Sequence, residues 1–178
     1  VFVSGPKDVP DAQIRLAAYR DTMESHGLPF GEDRIVYGDF TDRIDNLIED
    51  VIRSHGMPDA FACANDDMTE SVYRVLYRHG KTPGADVAVT GFDNIIPSQY
   101  FKPPLTTIHQ DFSAVARLAA EKAYDYFKSR KLISEHLPAQ LITRYSCGCT
   151  PSETSDDFYS TETVDLQMLR DDAYEFGM

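Results

Sequence analysis

The sequence lacks any long apolar run and any basic segment followed by an apolar one. A helical membrane span needs about 18 or more mostly apolar residues, so we predict none here. The missing basic–apolar pattern predicts that the chain carries no secretory signal peptide. An initiating methionine is also absent, and the chain opens on VFVSGP, which has the pattern of a strand. We therefore expect a fragment of a longer protein.

Basic residues are scarce, with 17 Lys and Arg against 29 Asp and Glu and a formal net charge of -12. An acidic surface repels phosphate groups, which argues against direct nucleic-acid contact from this chain and against a membrane-surface role. The imbalance is greatest at the end, where residues 150–178 contain eight acids and a single Arg.

Cysteine is scarce as well, with Cys63, Cys147 and Cys149. An odd number of cysteines, one of them within an apolar strand, favours a reducing, cytoplasmic compartment over a disulfide framework. The Cys147-Gly148-Cys149 pair could bind a metal or oxidise. One C-x-C without a second pair of ligands is weak evidence for a metal site, so we predict two ordinary thiols, no metal and no cofactor.

Short apolar segments alternate four times with helical patterns along the first half of the chain. The helical stretches carry apolar residues at positions i, i+3, i+4 and i+7, and each ends at a His-Gly pair. The apolar segments are residues 1–4, 35–37, 60–64 and 87–92. This alternation predicts an α/β fold, a Rossmann-like parallel sheet with helices on both faces.

Hydrogen-bonding residues follow the predicted strands, and ligands of open parallel sheets bind beyond the carboxyl ends of the strands. The residues are Arg15, Phe40, Asn65 and Asp93. Carboxylate and amide groups bind hydroxyls, guanidinium binds diols or carboxylates, and an aromatic ring stacks on a sugar or a base. This set predicts a small polyhydroxylated or heterocyclic ligand. Each residue also has a structural alternative: surface charge, core residue, helix cap and Asx turn, respectively.

Five segments of the sequence occur in an order that resembles a known family. They are SGPKDVPDAQIRLAAYRD, YGDFT, PDAFACANDDMTESVYRVL, DVAVTGFDN and PPLTTIHQDFSAVARLAAEKAYDYF. Together they resemble the carboxyl-terminal half of the effector domain of the LacI/GalR repressor family, over about residues 1–147. The resemblance implies one lobe of a type I periplasmic-binding-protein-like clamp, with a crossover strand–helix segment of the other lobe. It implies ligand contacts from Arg15, Phe40, Asn65 and Asp93, and from Gln110 near the crossover.

The resemblance also implies domain boundaries. Residues 1–105 would form the carboxyl-terminal lobe, 106–136 the crossover segment and 137–149 the strand that returns to the lobe. Residues 150–178 would be an acidic linker with a connector helix, although a frayed tail fits their sequence equally well. The crossover helix has an apolar face without an evident cover. We expect it to fold back on its own domain or to pack against a second copy in a homodimer.

The function implied is sensing of a sugar-like or nucleoside-like molecule within a transcriptional regulator or signalling protein. The DNA-binding headpiece of the family is absent from this sequence, so another domain would have to contact DNA. The ending RYSCGC resembles sensors that are fused ahead of signalling output domains. Two alternatives stay open. One is a dimerisation scaffold without a ligand, and the other is an enzyme, which the absence of G-x-G-x-x-G, P-loop and G-x-S-x-G motifs disfavours.

Overall fold

The computed structural model describes residues 1–131 and 133–150. The first four strands form one parallel sheet in the order β2-β1-β3-β4. Their bounds are Phe2–Ser4 (β1), Ile35–Tyr37 (β2), Ala60–Cys63 (β3) and Ala88–Thr90 (β4). The predicted parallel sheet is confirmed, and the residues that follow each strand lie on the same edge.

Four helices accompany the strands. They are Pro10–Ser25 (α1), Asp45–His55 (α2), Asp66–Arg78 (α3) and Phe112–Ser129 (α4). The first three lie between consecutive strands of the sheet and flank it, as the crossover of a parallel βαβ unit requires. No helix in the described ranges is long and apolar enough to cross a membrane.

The core lies between the parallel sheet and the apolar stripes of α2 and α3. Val3, Phe61 and Val89 from the strands are almost completely buried, as are Ile48 of α2 and Val72 of α3. All are large or β-branched residues, which fill a strand covered on both faces. The helix α1 contributes less to this core, and its Tyr19 ring stacks on Phe2 with ring centroids 4.8 Å apart.

A second, two-stranded antiparallel sheet pairs Thr107–His109 (β5) with Gln140–Ile142 (β6). Backbone hydrogen bonds join β5 to the first sheet, since Gly91 N donates to the Thr106 carbonyl at 2.9 Å and Asp93 N to that of Ile108 at 2.8 Å. The chain after β6 returns to the same place, where Val89 N donates to the Ser146 carbonyl at 2.7 Å. Two separate segments therefore meet beside β4.

The helix α4 buries none of its residues against the rest of the described chain. Its Phe112 and Phe127 are 60% and 72% exposed. The expectation that this helix folds back on its own domain is therefore wrong for the described residues, and its packing against a second copy stays a prediction. The predicted linker and connector helix lie outside the described residues, except for Thr150.

Two adjacent residues of α2 test the position of the core. The Ile48 side chain is fully buried, whereas its neighbour Leu47 is 41% exposed. We expect Ile48→Ala to lower the free energy of unfolding by about 2–5 kcal/mol, because it removes buried methyl groups and leaves a cavity. The control Leu47→Ala should cost less than about 1 kcal/mol. Urea unfolding measures both, and equal losses would contradict this placement of α2.

Candidate ligand-binding site

The five residues predicted to bind a ligand come together at the carboxyl edge of the parallel sheet. Phe40 lies in the loop after β2, Asn65 follows β3, and Asp93 follows β4. Arg15 reaches the edge from α1, and Gln110 reaches it from the residue just beyond β5. Arg15 and Gln110 contact Asp93 and form one cluster, and Asn65 contacts the backbone of Phe40 and forms a second set at the same edge.

The Arg15 side chain is held by three neighbours. Its Nη1 donates to the carbonyl oxygen of Ala64 at the end of β3. Its guanidinium carbon lies 3.9 Å from the centre of the Phe92 ring, a cation–π contact. Its Nη2 lies 3.7 Å from Oδ1 of Asp93, and both side chains remain about one-fifth exposed. The guanidinium is therefore oriented before any ligand arrives, with part of its surface accessible.

Asp93 is the acceptor on which the cluster converges. The Gln110 side chain donates from Nε2 to Oδ1 of Asp93 at 3.2 Å, the oxygen that also faces Arg15. Among the residues that the structure describes, no hydrogen bond is made to Oδ2. Burial raises the pKa of Asp93, while Arg15 and Gln110 act in the opposite direction. With the Asp93 side chain about one-fifth exposed, Oδ2 can accept a hydrogen bond from a hydroxyl or an N–H group of a small molecule.

The backbone at this edge is strained. Asp93 and Asn94 have φ angles of 108° and 53°, and Phe40 has φ 65°. Residues other than glycine rarely adopt a positive φ angle, and those that do concentrate at functional sites. Hydrogen bonds hold the first two, because Asp93 N donates to the Ile108 carbonyl and Asn94 N donates to Thr107 Oγ1 at 3.3 Å. The strand β5 therefore fixes the conformation that presents Asp93.

Asn65 caps helix α3, which was the structural alternative predicted for it from the sequence. Its Oδ1 accepts from Met68 N at 3.1 Å and caps α3. Its Nδ2 donates to the Phe40 carbonyl at 3.1 Å, and it lies 3.4 Å from Asp67 Oδ2. The side chain is 95% buried. Asn65 thus fixes the Phe40 loop to α3, and direct contact between Asn65 and a ligand stays a prediction.

The Phe40 ring lies directly over Gly5, at the carboxyl end of β1. A Cβ on Gly5 would be 2.0 Å from the Phe40 ring, so the residue at position 5 must be glycine for the ring to sit there. The ring packs on the edge of the core but keeps part of its surface exposed. It is therefore both a core residue and an aromatic surface beside the cluster, and the two interpretations are compatible.

Asp66 is a buried residue of the candidate site that was not among the residues predicted from the sequence. Its Oδ1 accepts from Thr107 Oγ1 at 2.6 Å and its Oδ2 accepts from Ile95 N at 3.0 Å. Burial raises its pKa to about 6, despite these two hydrogen bonds, which favour the charged form. A Cβ on Gly91 would lie 2.1 Å from Oδ1, so the GFDN glycine makes room for this carboxylate. In the sequence, this glycine was the feature that indicated a close neighbour at the end of β4.

A second buried network escaped sequence reasoning. The Arg144 guanidinium donates to the Leu105 carbonyl and to Asn94 Oδ1, each at 2.8 Å. The Asn94 amide nitrogen in turn lies 3.2 Å from Nδ1 of His109. Arg144 is 94% buried, and its signal was a single basic residue within the last apolar segment, LITRYS. The network joins the return strand, the Asp93 loop and β5.

A family model described as a periplasmic binding protein-like domain matches residues 1–147. The chain belongs to this family. The resemblance to LacI/GalR repressors is confirmed together with it, because curated relatives and solved structures of that type match the same region. The fold class is confirmed as well, with a parallel sheet flanked by helices in the arrangement of the periplasmic binding protein-like domain.

Curated relatives of this periplasmic binding protein-like domain are operon repressors. The lactose operon repressor of Klebsiella pneumoniae is 32% identical over 147 residues, which cover 82% of this chain and 41% of that protein. The ribose operon repressor of Escherichia coli strain K12 is 35% identical over 124 residues, 67% of this chain and 36% of that protein. The chain thus spans about two-fifths of the length of these curated relatives.

Solved structures give the same result. A complex of the transcriptional regulator CelR with cellobiose matches with a TM-score of 0.77 and 28% identity, covering 82% of this chain and 46% of that one. A lac repressor dimer bound to operator and the anti-inducer ONPF also has a TM-score of 0.77, with 25% identity, and covers 83% and 44%. The periplasmic binding protein-like domain therefore has close structural counterparts among regulators.

The raised pKa of Asp66 predicts a pH dependence of stability. The folded protein binds a proton at Asp66 up to about pH 6, whereas the ordinary value is 3.8. Between these values the folded state holds more protons than the unfolded state, so the free energy of unfolding falls as the pH rises. The fall is on the order of 2–3 kcal/mol. In Asp66→Asn the amide is neutral throughout, so we expect this part of the fall to disappear.

Urea unfolding between pH 4 and 7 measures the difference between wild type and Asp66→Asn. The variant Asp50→Asn removes an exposed carboxylate of α2 and serves as the control, with the pH profile of the wild type. If Asp66→Asn kept the full slope of the wild type, Asp66 would not carry a raised pKa in the folded protein.

Proposed function

We propose that this domain senses a sugar-like or nucleoside-like small molecule for a transcriptional regulator or signalling protein. The observation that carries the proposal is the convergence of Arg15 and Gln110 on one oxygen of Asp93, whose side chain is about one-fifth exposed. Arg15 and Gln110 provide N–H donors, and Asp93 provides a carboxylate acceptor. Together they can bind the hydroxyl groups of a sugar or the N–H groups of a heterocycle.

The relatives support this ligand class. Their names refer to the lactose operon and the ribose operon, and one solved structure is a complex with cellobiose. We propose that the polar and the apolar residues of the site contact different parts of the ligand. Arg15, Asp93 and Gln110 would bind polar atoms of the ligand, and Phe40 would lie against an apolar face of its ring. A second lobe, as in these longer relatives, would complete the site.

We propose a binding domain in the cytoplasm and not an enzyme. The relatives are transcriptional repressors. His109, which lies near the cluster, is within 3.2 Å of the Asn94 amide in the network that supports the Asp93 loop. This position gives it a structural partner on the protein. The proposed change on ligand binding is a shift between two lobe arrangements, to the extent that the ligand prefers one of them.

We also propose a homodimer, as in the lac repressor dimer bound to operator. An apolar groove of about 600 Å³ lies between α3 and the segment that follows β4. Ile96 and Tyr100 beside it are 61% and 73% exposed, which is unusual for side chains of their size. Charged groups of Glu70, Arg74 and Lys102 border the groove. A second copy of the chain would cover these apolar side chains.

The ligand proposal predicts the effect of Asp93→Asn. Asparagine tolerates positive φ, so this change removes the charge while it preserves the strained loop. We expect it to weaken ligand binding about ten- to a hundredfold, the loss typical of a hydrogen bond to a charged group. A thermal-shift screen of the full-length protein against sugars, polyols, nucleosides and purines identifies the ligand, and calorimetry then gives the affinities.

The matched control for this experiment is Asp50→Asn, which removes a carboxylate far from the cluster and should leave the affinity unchanged. A ligand that binds Asp93→Asn as tightly as the wild type would remove Asp93 from the site. If no compound of the panel raised the melting temperature, the scaffold function would be favoured over sensing.

The dimer proposal predicts the effect of a charge in the groove. Tyr100→Glu places a carboxylate among side chains that a second copy would bury, so we expect at least a tenfold weaker association, about 1.4 kcal/mol. Sedimentation equilibrium of the full-length protein measures it. Leu28→Glu, at a 52% exposed apolar residue outside the groove, is the control and should associate normally. An unchanged Tyr100→Glu dimer would place the interface elsewhere.

A further inference from the structure

Cys147 and Cys149 are brought side by side by a tight turn. Gly148 between them has φ 81°, and its N–H donates to the Tyr145 carbonyl at 3.1 Å. A Cβ on Gly148 would lie 2.9 Å from the Gly84 carbonyl oxygen, so the turn is packed against a neighbouring loop. In this turn the two thiols are close enough to affect each other's pKa, which Cys149 lowers at Cys147 and Cys147 raises at Cys149.

The sulfur of Cys147 lies among hydrogen-bond donors. Thr106 Oγ1 donates to it at 3.3 Å. The Cys149 thiol and the backbone at Cys147 and Cys149 also act to lower the pKa of this sulfur. A contact to the Arg144 carbonyl, which a protonated thiol could use, is long at 3.8 Å. This environment stabilises a thiolate on Cys147 more than on its neighbour.

Burial alone raises the pKa of Cys147, but the hydrogen bonds to its sulfur outweigh burial and lower the pKa overall. The pKa of Cys149 is raised, first by its hydrogen bond to Cys147 and then by the charge on that residue. The two thiols therefore differ in acidity, as the attacking and the resolving thiol of a redox pair do. Their exposure also differs, because Cys147 is half-buried and Cys149 is exposed.

We propose that Cys147 and Cys149 form a reversible dithiol–disulfide site, in which Cys147 is the attacking thiolate and Cys149 resolves the intermediate. The geometry that supports this is a pair of adjacent sulfurs, one held by Thr106 and the other accessible to solvent. The site would react with a peroxide or a small disulfide and be restored by a dithiol reductant.

With hydrogen peroxide, the Cys147 thiolate attacks one peroxide oxygen and the O–O bond breaks. The departing hydroxide takes a proton from solvent to give water, and Cys147 becomes a sulfenic acid. The Cys149 sulfur then attacks the Cys147 sulfur and the S–O bond breaks. The second hydroxide leaves with the Cys149 proton as water. Two electrons have passed from the two sulfurs to the peroxide, and an S–S bond has formed.

Cys63 provides an internal comparison. It lies buried in β3, and burial strongly raises its pKa. A buried neutral thiol reacts slowly with oxidants. Trypsin should cut after Arg53 and Arg74 and so place Cys63 in the peptide 54–74. Cuts after Arg144 and Arg170 place the other two cysteines together in the peptide 145–170, so one digest separates the two environments.

The test exposes the reduced full-length protein to glutathione buffers of increasing oxidised fraction, then acidifies, alkylates and digests it. We expect the peptide 145–170 to lose two hydrogens, about 2 Da, while Cys63 is recovered as an alkylated thiol. In Cys149→Ser, Cys147 should instead carry one glutathione, because nothing resolves the mixed disulfide. Cys147→Ser should react with peroxide roughly tenfold more slowly than Cys149→Ser.

Three results would overturn the proposal. The first is a peptide 145–170 that stays fully reduced, or that carries glutathione on both cysteines without an internal disulfide. The second is an equal peroxide rate for Cys147→Ser and Cys149→Ser, which would mean that the surroundings of Cys147 do not select the nucleophile. The third is oxidation of Cys63 to the same extent as the pair, which would show that the reaction occurs in unfolded protein.

Discussion

The buried carboxylate of Asp66 is the interaction on which the candidate site depends. It accepts one hydrogen bond from Ile95, just after the Asp93 loop, and another from Thr107 in β5. Thr107 Oγ1 also accepts from Asn94 N. One carboxylate at the start of α3 thus holds together the loop that presents Asp93 and the strand that presents Gln110. A buried acid is costly unless its oxygens are satisfied, and here both are.

Arg144, in the return strand, also supports the loop that presents Asp93. Its guanidinium binds the Asn94 side chain and the Leu105 carbonyl, so the return strand is fastened to the Asp93 loop. The strained φ angles of Asp93 and Asn94 persist because these contacts over-determine them. Affinity of such a site comes partly from this rigidity, since a preformed cluster loses less conformational entropy when it binds.

Much of the fold followed from sequence periodicity, because strand and helix patterns alternate clearly through residue 93. The site was predictable in outline, because parallel strands deliver whatever follows them to one edge. Asp66, Asn94 and Arg144 could not be assigned in advance, since their partners are 13 to 50 positions away in the sequence. The uncovered face of α4 was also only half predictable: its apolar residues were evident, but what covers them was not.

The cysteine pair shows a different limit. Two thiols separated by one glycine look ordinary in a sequence, because nothing there reveals that Thr106, some forty positions earlier, donates to one of them. The distinction between the two sulfurs arises only when the return strand reaches β5. Local sequence determines the turn at Gly148, and tertiary contacts determine which sulfur is the more acidic.

The return of the chain beside β4 has a consequence for the order of folding. Ser146 closes the open side of β4, yet it lies 57 positions beyond its partner Val89. Until residue 146 has left the ribosome, Val89 lacks this partner, and an unpaired strand edge is a template for association with another chain. Contacts this distant in sequence also form slowly. The first 149 residues carry a net charge of only -5, because residues 150–178, which are made last, contribute -7 of the total of -12. Charge repulsion between nascent copies is therefore weak during the interval in which this part of β4 is open.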